Sequence, residues 1–404
     1  MQCSMSPSWL PSSFRRIGVV AVSVFLNFAG FTLIIPVLPF SVAPYVPAAD
    51  VAFWVSAILS LYALCCFAAA PVLGALSDRH GRRPVLLLSL CGAALGFAVF
   101  GIGGALWVLV LGRLIEGLTA GSIATLYAWV ADTHPDAERG PAFGVLGAAG
   151  GLGFMLGPVL GGLLGQLSLA APLYGAAALA VLNAALVAAC LPESHPPAKR
   201  AASVQRGRFN AITQLRVVLR VAPLRRLFAV VFCFAFGSTA LQANLAVLLR
   251  DLLAFGPAAI GMVLAGIGVM DILSQGVVAP RLQRRLDERA VAVLGLAVNG
   301  AGLAVLACLA LRPVLALLVC GIALFTFGDG LFQPSASALI AGAAPAGRQG
   351  EVQGANQAQQ SLARMGGPLL AAWLYGWSAG APYVAAALAV MTAAALLWRD
   401  RSRG

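Results

Sequence analysis

The sequence predicts an all-α integral membrane protein, with twelve transmembrane helices in two pseudo-symmetric six-helix halves. Three observations lead there. The 404 residues are 60% hydrophobic and 10% charged, whereas soluble domains carry about 25% charged residues. The apolar residues gather into runs of the roughly 20 residues that cross a bilayer as a helix. Finally, an offset of 210 residues lays Asp78-Arg79 on Glu288-Arg289, Gly144 on Gly354, Gly157-Pro158 on Gly367-Pro368 and Gly161-Gly162 on Ala371-Ala372. A repeated register of this kind is the mark of duplicated halves.

In chain order, the apolar runs are 17–40, 51–76, 85–103, 105–131, 141–165 and 170–190, then 223–249, 257–280, 290–311, 313–341, 350–375 and 380–398. Residues 1–16 form a polar cytoplasmic N-terminus with no small-residue cleavage site, so the first run reads as a retained helix. The N-terminal half is 17–190 and the C-terminal half 223–398, followed by a cytoplasmic C-terminus at 399–404. Between the halves, 191–222 is the one long polar stretch. Its prolines and basic residues suit a cytoplasmic linker on an anionic leaflet. With both termini inside, 22 of the 26 Lys and Arg residues fall in cytoplasmic segments, and only Arg250 and Arg312 in outside loops. That asymmetry sets the orientation.

The formal charge of +12 does not point to nucleic acid, because it is dispersed over many short loops. Seven of the eight cysteines lie in apolar runs without metal-ligand spacing, and the three histidines sit apart in loops, so no metal is expected. Nothing resembles a nucleotide-binding loop. The expectation is a carrier rather than an enzyme, driven by a proton gradient with no cofactor. Its partners are a small-molecule substrate, protons and the lipid bilayer, and it works as a monomer.

Three stretches carry the functional signal. Gly74 to Pro84 reads G-A-L-S-D-R-H-G-R-R-P. An acid and three arginines cannot lie in hydrocarbon, so this is a loop between helices 2 and 3. Gly74 and Gly81 allow close approach and tight turning; Asp78, Arg79, Arg82 and Arg83 supply charge, with Asp132 at the end of helix 4 a candidate partner. In helix 5, Gly144, Gly153, Gly157-Pro158 and Gly161-Gly162 follow the spacing G-x8-G-x3-G-P-x2-G-G. Glycines four apart line one face for close packing, and proline supplies a kink. In helix 4, Arg113 and Glu116 share one face, three residues apart. An arginine and a carboxylate in lipid must pair or face water, so Glu116 is a candidate proton-coupling group with Arg113 its counter-ion.

Two further acids, Asp271 in helix 8 and Asp329 in helix 10, have no evident local partner and are coupling or substrate-binding candidates. Helix 11 carries Asn356, Gln360 and Arg364 one turn apart, a polar stripe suited to a cavity wall. Asn27, Tyr62, Phe325 and Gln333 complete the substrate-cavity candidates.

The Gly74–Pro84 loop resembles the signature loop of the major facilitator superfamily of transporters. The helix 5 spacing resembles that of its proton-coupled drug antiporters. I-I-P-V-L-P at 34–39, the passage from Ala131 to Gly144, G-P-V-L-G-G-L-L-G at 157–165 and G-P-L-L-A-A-W-L-Y at 367–375 resemble the tetracycline-efflux branch in particular. The resemblance implies the superfamily fold, alternating access, and a loop around Asp78 that latches the outward-facing state. It also implies multidrug or antibiotic efflux against protons across a bacterial-type inner membrane. The chain departs from that branch where helix 1 should carry an aspartate: Asn27 stands there and cannot titrate. Export of a small amphipathic compound is the expectation; tetracycline as the substrate does not carry over. The alternative is a carrier of a metabolite or siderophore, importers included.

Overall fold

The computed structural model describes residues 12–195, 222–343 and 349–399. Nearly all of the expected linker, most of the expected N-terminus and residues 400–404 lie outside them. Every regular element among the described residues is helical. In chain order these are α1 (Ser12–Thr32), α2 (Leu38–Val42), α3 (Val51–His80), α4 (Arg82–Ile102), α5 (Leu106–Leu118), α6 (Ser122–Thr133), α7 (Asp136–Leu167), α8 (Ala171–Cys190), α9 (Ala222–Leu253), α10 (Pro257–Leu273), α11 (Ala279–Gln283), α12 (Glu288–Cys308), α13 (Leu315–Ala343), α14 (Gln349–Tyr375) and α15 (Ala381–Arg399).

Ten helices among the described residues are long and apolar enough to cross a membrane. Of the twelve expected spans, the first is represented among the described residues by the apolar stretch Ile17–Thr32, and the eleventh is not among the ten. The run at 17–40 is not one helix. Pro36 cannot return an N–H to the Thr32 carbonyl, so α1 ends at Thr32 and the chain resumes as the short α2. The run at 350–375 is one helix, α14, whose first half is rich in Gln and Asn. Two other spans are interrupted. The fourth breaks at Thr119–Gly121 into α5 and α6. The eighth passes through a π turn at Ser274–Val278 into α11, where Pro280 removes one backbone donor.

The chain divides into two compact units. The first comprises Met1–Tyr45, Leu61–Arg206 and Gly256–Ala265; the second comprises Val46–Ser60, Gly207–Phe255 and Gly266–Gly404. In the first unit α1 packs on α7 and α8, and α4 packs between α5 and α8. In the second, α12 packs on α13 and α15, and α9 packs on α14 and α15. Helices meet at almost backbone distance. A Cβ added at Gly96 of α4 would lie 2.7 Å from the Gly112 carbonyl of α5, and one at Gly295 of α12 would lie 2.9 Å from the Gly328 carbonyl of α13. With lipid on the outside there is little hydrophobic drive to associate, and such close packing supplies the attraction instead.

One contact occurs in both units. Gly157 of α7 faces the Thr32 hydroxyl of α1, and Gly367 of α14 faces the Thr239 hydroxyl of α9. Each hydroxyl donates within its own helix, to Phe28 O at 2.8 Å and to Ala235 O at 2.8 Å. Each also reaches a carbonyl across the helix pair, Gly153 O at 3.4 Å and Ala363 O at 3.5 Å. Gly153 and Ala363 are themselves 210 residues apart, the offset of the sequence repeat.

Candidate functional site: a buried ion pair beside a cavity

Arg113 and Glu116 project from the last turns of α5, three residues apart and therefore on one face. The Arg113 Nη1 donates to Glu116 Oε2 at 2.7 Å, with both side chains at or below 5% exposure. The guanidinium carbon lies 5.6 Å from the Tyr62 ring centre and 5.5 Å from that of Phe100. One carboxylate and two aromatic rings thus offset the burial of the cation. The Arg113 Nε has no protein partner.

Glu116 also lines a cavity of about 200 Å³ in the first unit, together with Asn27, Tyr62, Cys66, Ser89 and Asn183. Asn27, at the position where the tetracycline-efflux branch has its acid, donates from Nδ2 to Ser122 Oγ at 2.6 Å. It is a neutral cross-brace between α1 and α6. Ser89, Ser122 and Asn183 went unnoticed in the sequence. The available signal was a lone Asn in the apolar α8, which makes sense only if another helix offers it a polar neighbour.

A charged network stands at the Arg82 end of α4. The stretch expected as a loop is mostly helical: α3 runs on to His80 and α4 starts at Arg82, with only Gly81 between them. Arg82 donates to Asp78 Oδ1 at 2.6 Å and to Asp132 Oδ2 at 2.8 Å, so Asp132 partners an arginine of this stretch. Gly81 adopts φ 105°, a conformation that favours glycine, and turns the chain from α3 into α4. Asp78 does not cap α4. Glu193, beyond the end of α8, accepts the backbone N–H groups of Arg82 at 2.8 Å and of Arg83 at 3.2 Å. Ser194 Oγ donates to Asp132 at 3.3 Å, and the His195 ring lies 3.8 Å from it. Arg83 donates to the Ala188 carbonyl, and Arg79 is exposed. Among the described residues, nothing lies within 4 Å of a Cβ added at Gly74.

The helix 5 glycines divide in the same way. A Cβ at Gly153 would lie 2.5 Å from Phe25 O, and one at Gly157 would lie 2.6 Å from Ala29 O. Gly161 meets the Leu33 carbonyl as closely. Gly162 faces Pro257 O at 2.7 Å, and Pro158 presents its carbonyl to Gly261. Gly144 borders open space.

The remaining candidates belong to the second unit. Asp271 has a partner after all: Gln275 Nε2 donates to it at 2.8 Å. Both Asp271 and Asp329 are half-buried rather than enclosed. Phe325 is buried, and its carbonyl accepts from Asn299 Nδ2 at 2.9 Å. Gln333 is exposed. The α14 stripe turns as it descends: Asn356 is buried and accepts from Gln359 at 3.0 Å, Gln360 is half-buried, and Arg364 is exposed.

Comparison with known proteins agrees with this architecture. The Major Facilitator Superfamily model matches residues 20–286 and 227–404. A class C tetracycline resistance protein of Escherichia coli is 34% identical over 366 residues, 89% of this chain and 90% of that protein. A class E tetracycline resistance protein of the same organism is 35% identical over 366 residues, 89% of this chain and 88% of that protein. Among solved structures, the human organic anion transporter MFSD10 (TETRAN) aligns with a TM-score of 0.71 at 27% identity, covering 96% of this chain and 100% of that one. With a family model spanning nearly its whole length and relatives above 30% identity along most of it, this chain belongs to the major facilitator superfamily.

Proposed function

We propose that this protein is a secondary active transporter that exports a small amphipathic compound in exchange for protons. The observation that carries the reading is the Arg113–Glu116 pair, shut in the bundle yet opening onto a cavity where Asn27, Ser89 and Asn183 stand among apolar side chains. A carboxylate held this way can alternate between pairing with arginine and carrying a proton. The cavity gives that proton a place to go. The halves are residues 17–190 and 223–398, joined by a cytoplasmic linker at 191–222. Both termini face the cytoplasm, and the charged network around Arg82 latches one state. The protein acts as a monomer in the inner membrane, driven by the proton gradient with no cofactor.

The relatives named for tetracycline resistance support drug export. Tetracycline is not adopted as the substrate, because Asn27 is a hydrogen-bonded brace that carries no charge. A carrier of metabolites or siderophores is the second reading, and the organic anion transporter among the structural neighbours favours keeping it. A susceptibility panel in a host stripped of its own pumps separates the two. Raised resistance to some compounds, abolished by a proton uncoupler, is the expected result. An unchanged panel with uncoupler-sensitive uptake of a nutrient would establish the second reading instead.

A further inference from the structure

We propose that the cavity beside Glu116 is a water chamber that leads its proton toward the Arg82 end of the bundle, with Ser89 and Asn183 positioning the water. This rests on Glu116 being the coupling group. Size argues first. Pockets that enclose drug-sized molecules measure about 300–1,000 Å³, and this one is about 200 Å³. A space of that size admits several waters.

The lining argues second. Ser89 is 2% exposed, and its hydroxyl has no protein partner. Asn183 is 0% exposed; its Nδ2 donates to Ser23 O at 2.9 Å, while its Oδ1 has no protein partner. Both residues line the cavity. Two buried polar atoms without a protein partner, on different helices that line one small space, call for a hydrogen-bonding occupant of water's size.

Direction comes from the helices. Glu116 packs against Gly96, where an added Cβ would lie 2.9 Å from the Glu116 Cβ. Ser89 precedes Gly96 by seven residues on α4, a rise of about 10 Å toward Arg82. Beyond Ser89 the path is closed by Leu86, Leu126, Trp129 and Val187, all buried in one apolar cluster. The chamber is therefore blind at that end until these side chains part. Under the topology proposed above, that end is the cytoplasmic one, where an exporter driven by protons must release them.

The titratable and charged groups facing Glu116 are Arg113 on its own helix and Tyr62 and Cys66 on α3. From α1, α4 and α8 the cavity receives only uncharged side chains, among them Asn27, Ser89 and Asn183. In the transfer step the Glu116 carboxyl gives its proton to the first water, which passes one of its own protons to the next; the excess proton stays on the chamber waters until the apolar side chains beyond Ser89 part, and then leaves to bulk water on that side. The carboxylate left behind closes on Arg113. No other bond changes.

Infrared spectroscopy of the full-length protein in lipid tests this without a known substrate. The carboxyl stretch of protonated Glu116, identified by its loss in Glu116→Gln, shifts when D2O reaches it. Filling the chamber with Ala93→Leu, or removing the unpaired oxygen with Asn183→Leu, is expected to slow that shift by about tenfold or more, the rate equivalent of a lost hydrogen bond to a charged group. Ser89→Ala should slow it too, and Ser89→Thr, which keeps the hydroxyl, should restore it. A merely structural role for Ser89 would not give that rescue. Circular dichroism melting confirms that each variant compared is folded. An unaltered exchange rate in folded Ser89→Ala and in either filling variant would overturn the chamber and leave Glu116 as coupling group intact. If Glu116→Gln removes no carboxyl band at any pH the protein tolerates, the coupling assignment itself fails, and the chamber with it.

Discussion

Arg113 is held by one carboxylate and two rings, and its worth to the fold depends on which of these is removed. Arg113→Met leaves the Glu116 carboxylate enclosed without its counter-ion. A loss of about 3–5 kcal/mol is expected, the usual penalty for breaking a buried pair from one side. Replacing both residues with Met should recover most of that stability while abolishing proton-coupled efflux. Chemical denaturation in detergent distinguishes the two, and a double variant no more stable than the single one would contradict the pairing. In transport, Glu116→Gln is expected to bind substrate yet release no proton when substrate is added. Asp271→Asn and Asp329→Asn should chiefly weaken binding of cationic compounds. The pair itself was legible, because three residues on a helix place two side chains on one face whatever surrounds them. Ser89 and Asn183 were not. A single polar residue in an apolar helix says that something polar lies opposite, but the partner comes from another helix and leaves no local trace.

Helices α1 and α7 touch through glycine, and only some of the glycines carry the contact. Gly157→Val would drive methyl groups into the Ala29 backbone. Overpacking of that kind costs about 1–3 kcal/mol or more, seen as lower expression and a lower melting temperature. Gly144→Ala has nothing to strike and should stay within about 0.5 kcal/mol of the parent. The sequence spacing marked both as one motif, since a pattern of glycines shows where a second helix could approach and not where it does. The charged network behaves differently. Its members are partly exposed, with Asp78 at 38%, so Asp78→Asn should cost little stability. Transport is nevertheless expected to fail, because the latch depends on charge. Wild-type efflux by a stable Asp78→Asn protein would refute the latch.

For the molecule as a whole, hydropathy located ten spans because each is a long apolar stretch, the broken fourth and eighth included. Of the other two, α1 is apolar over Ile17–Thr32 and stops before Pro36, and α14 has a polar first half. The orientation drawn from basic residues awaits labelling. A cysteine at the exposed Ala48 should react only from outside and one at Ser203 only from the cytoplasm, and the reverse pattern would turn the protein over. The paired contacts at Thr32 and Thr239 have a mechanical consequence. Each hydroxyl has a single proton, given to its own helix at 2.8 Å, with a neighbour's carbonyl at 3.4 or 3.5 Å as the alternative acceptor. One helix can therefore slip along the other without ever stranding a polar group in a dry seam. The threonines act as lubricated bearings, one in each unit. Valine, with the same shape and no hydroxyl, is a bearing run dry: Thr32→Val or Thr239→Val should leave the protein folded and its substrate affinity intact while turnover slows.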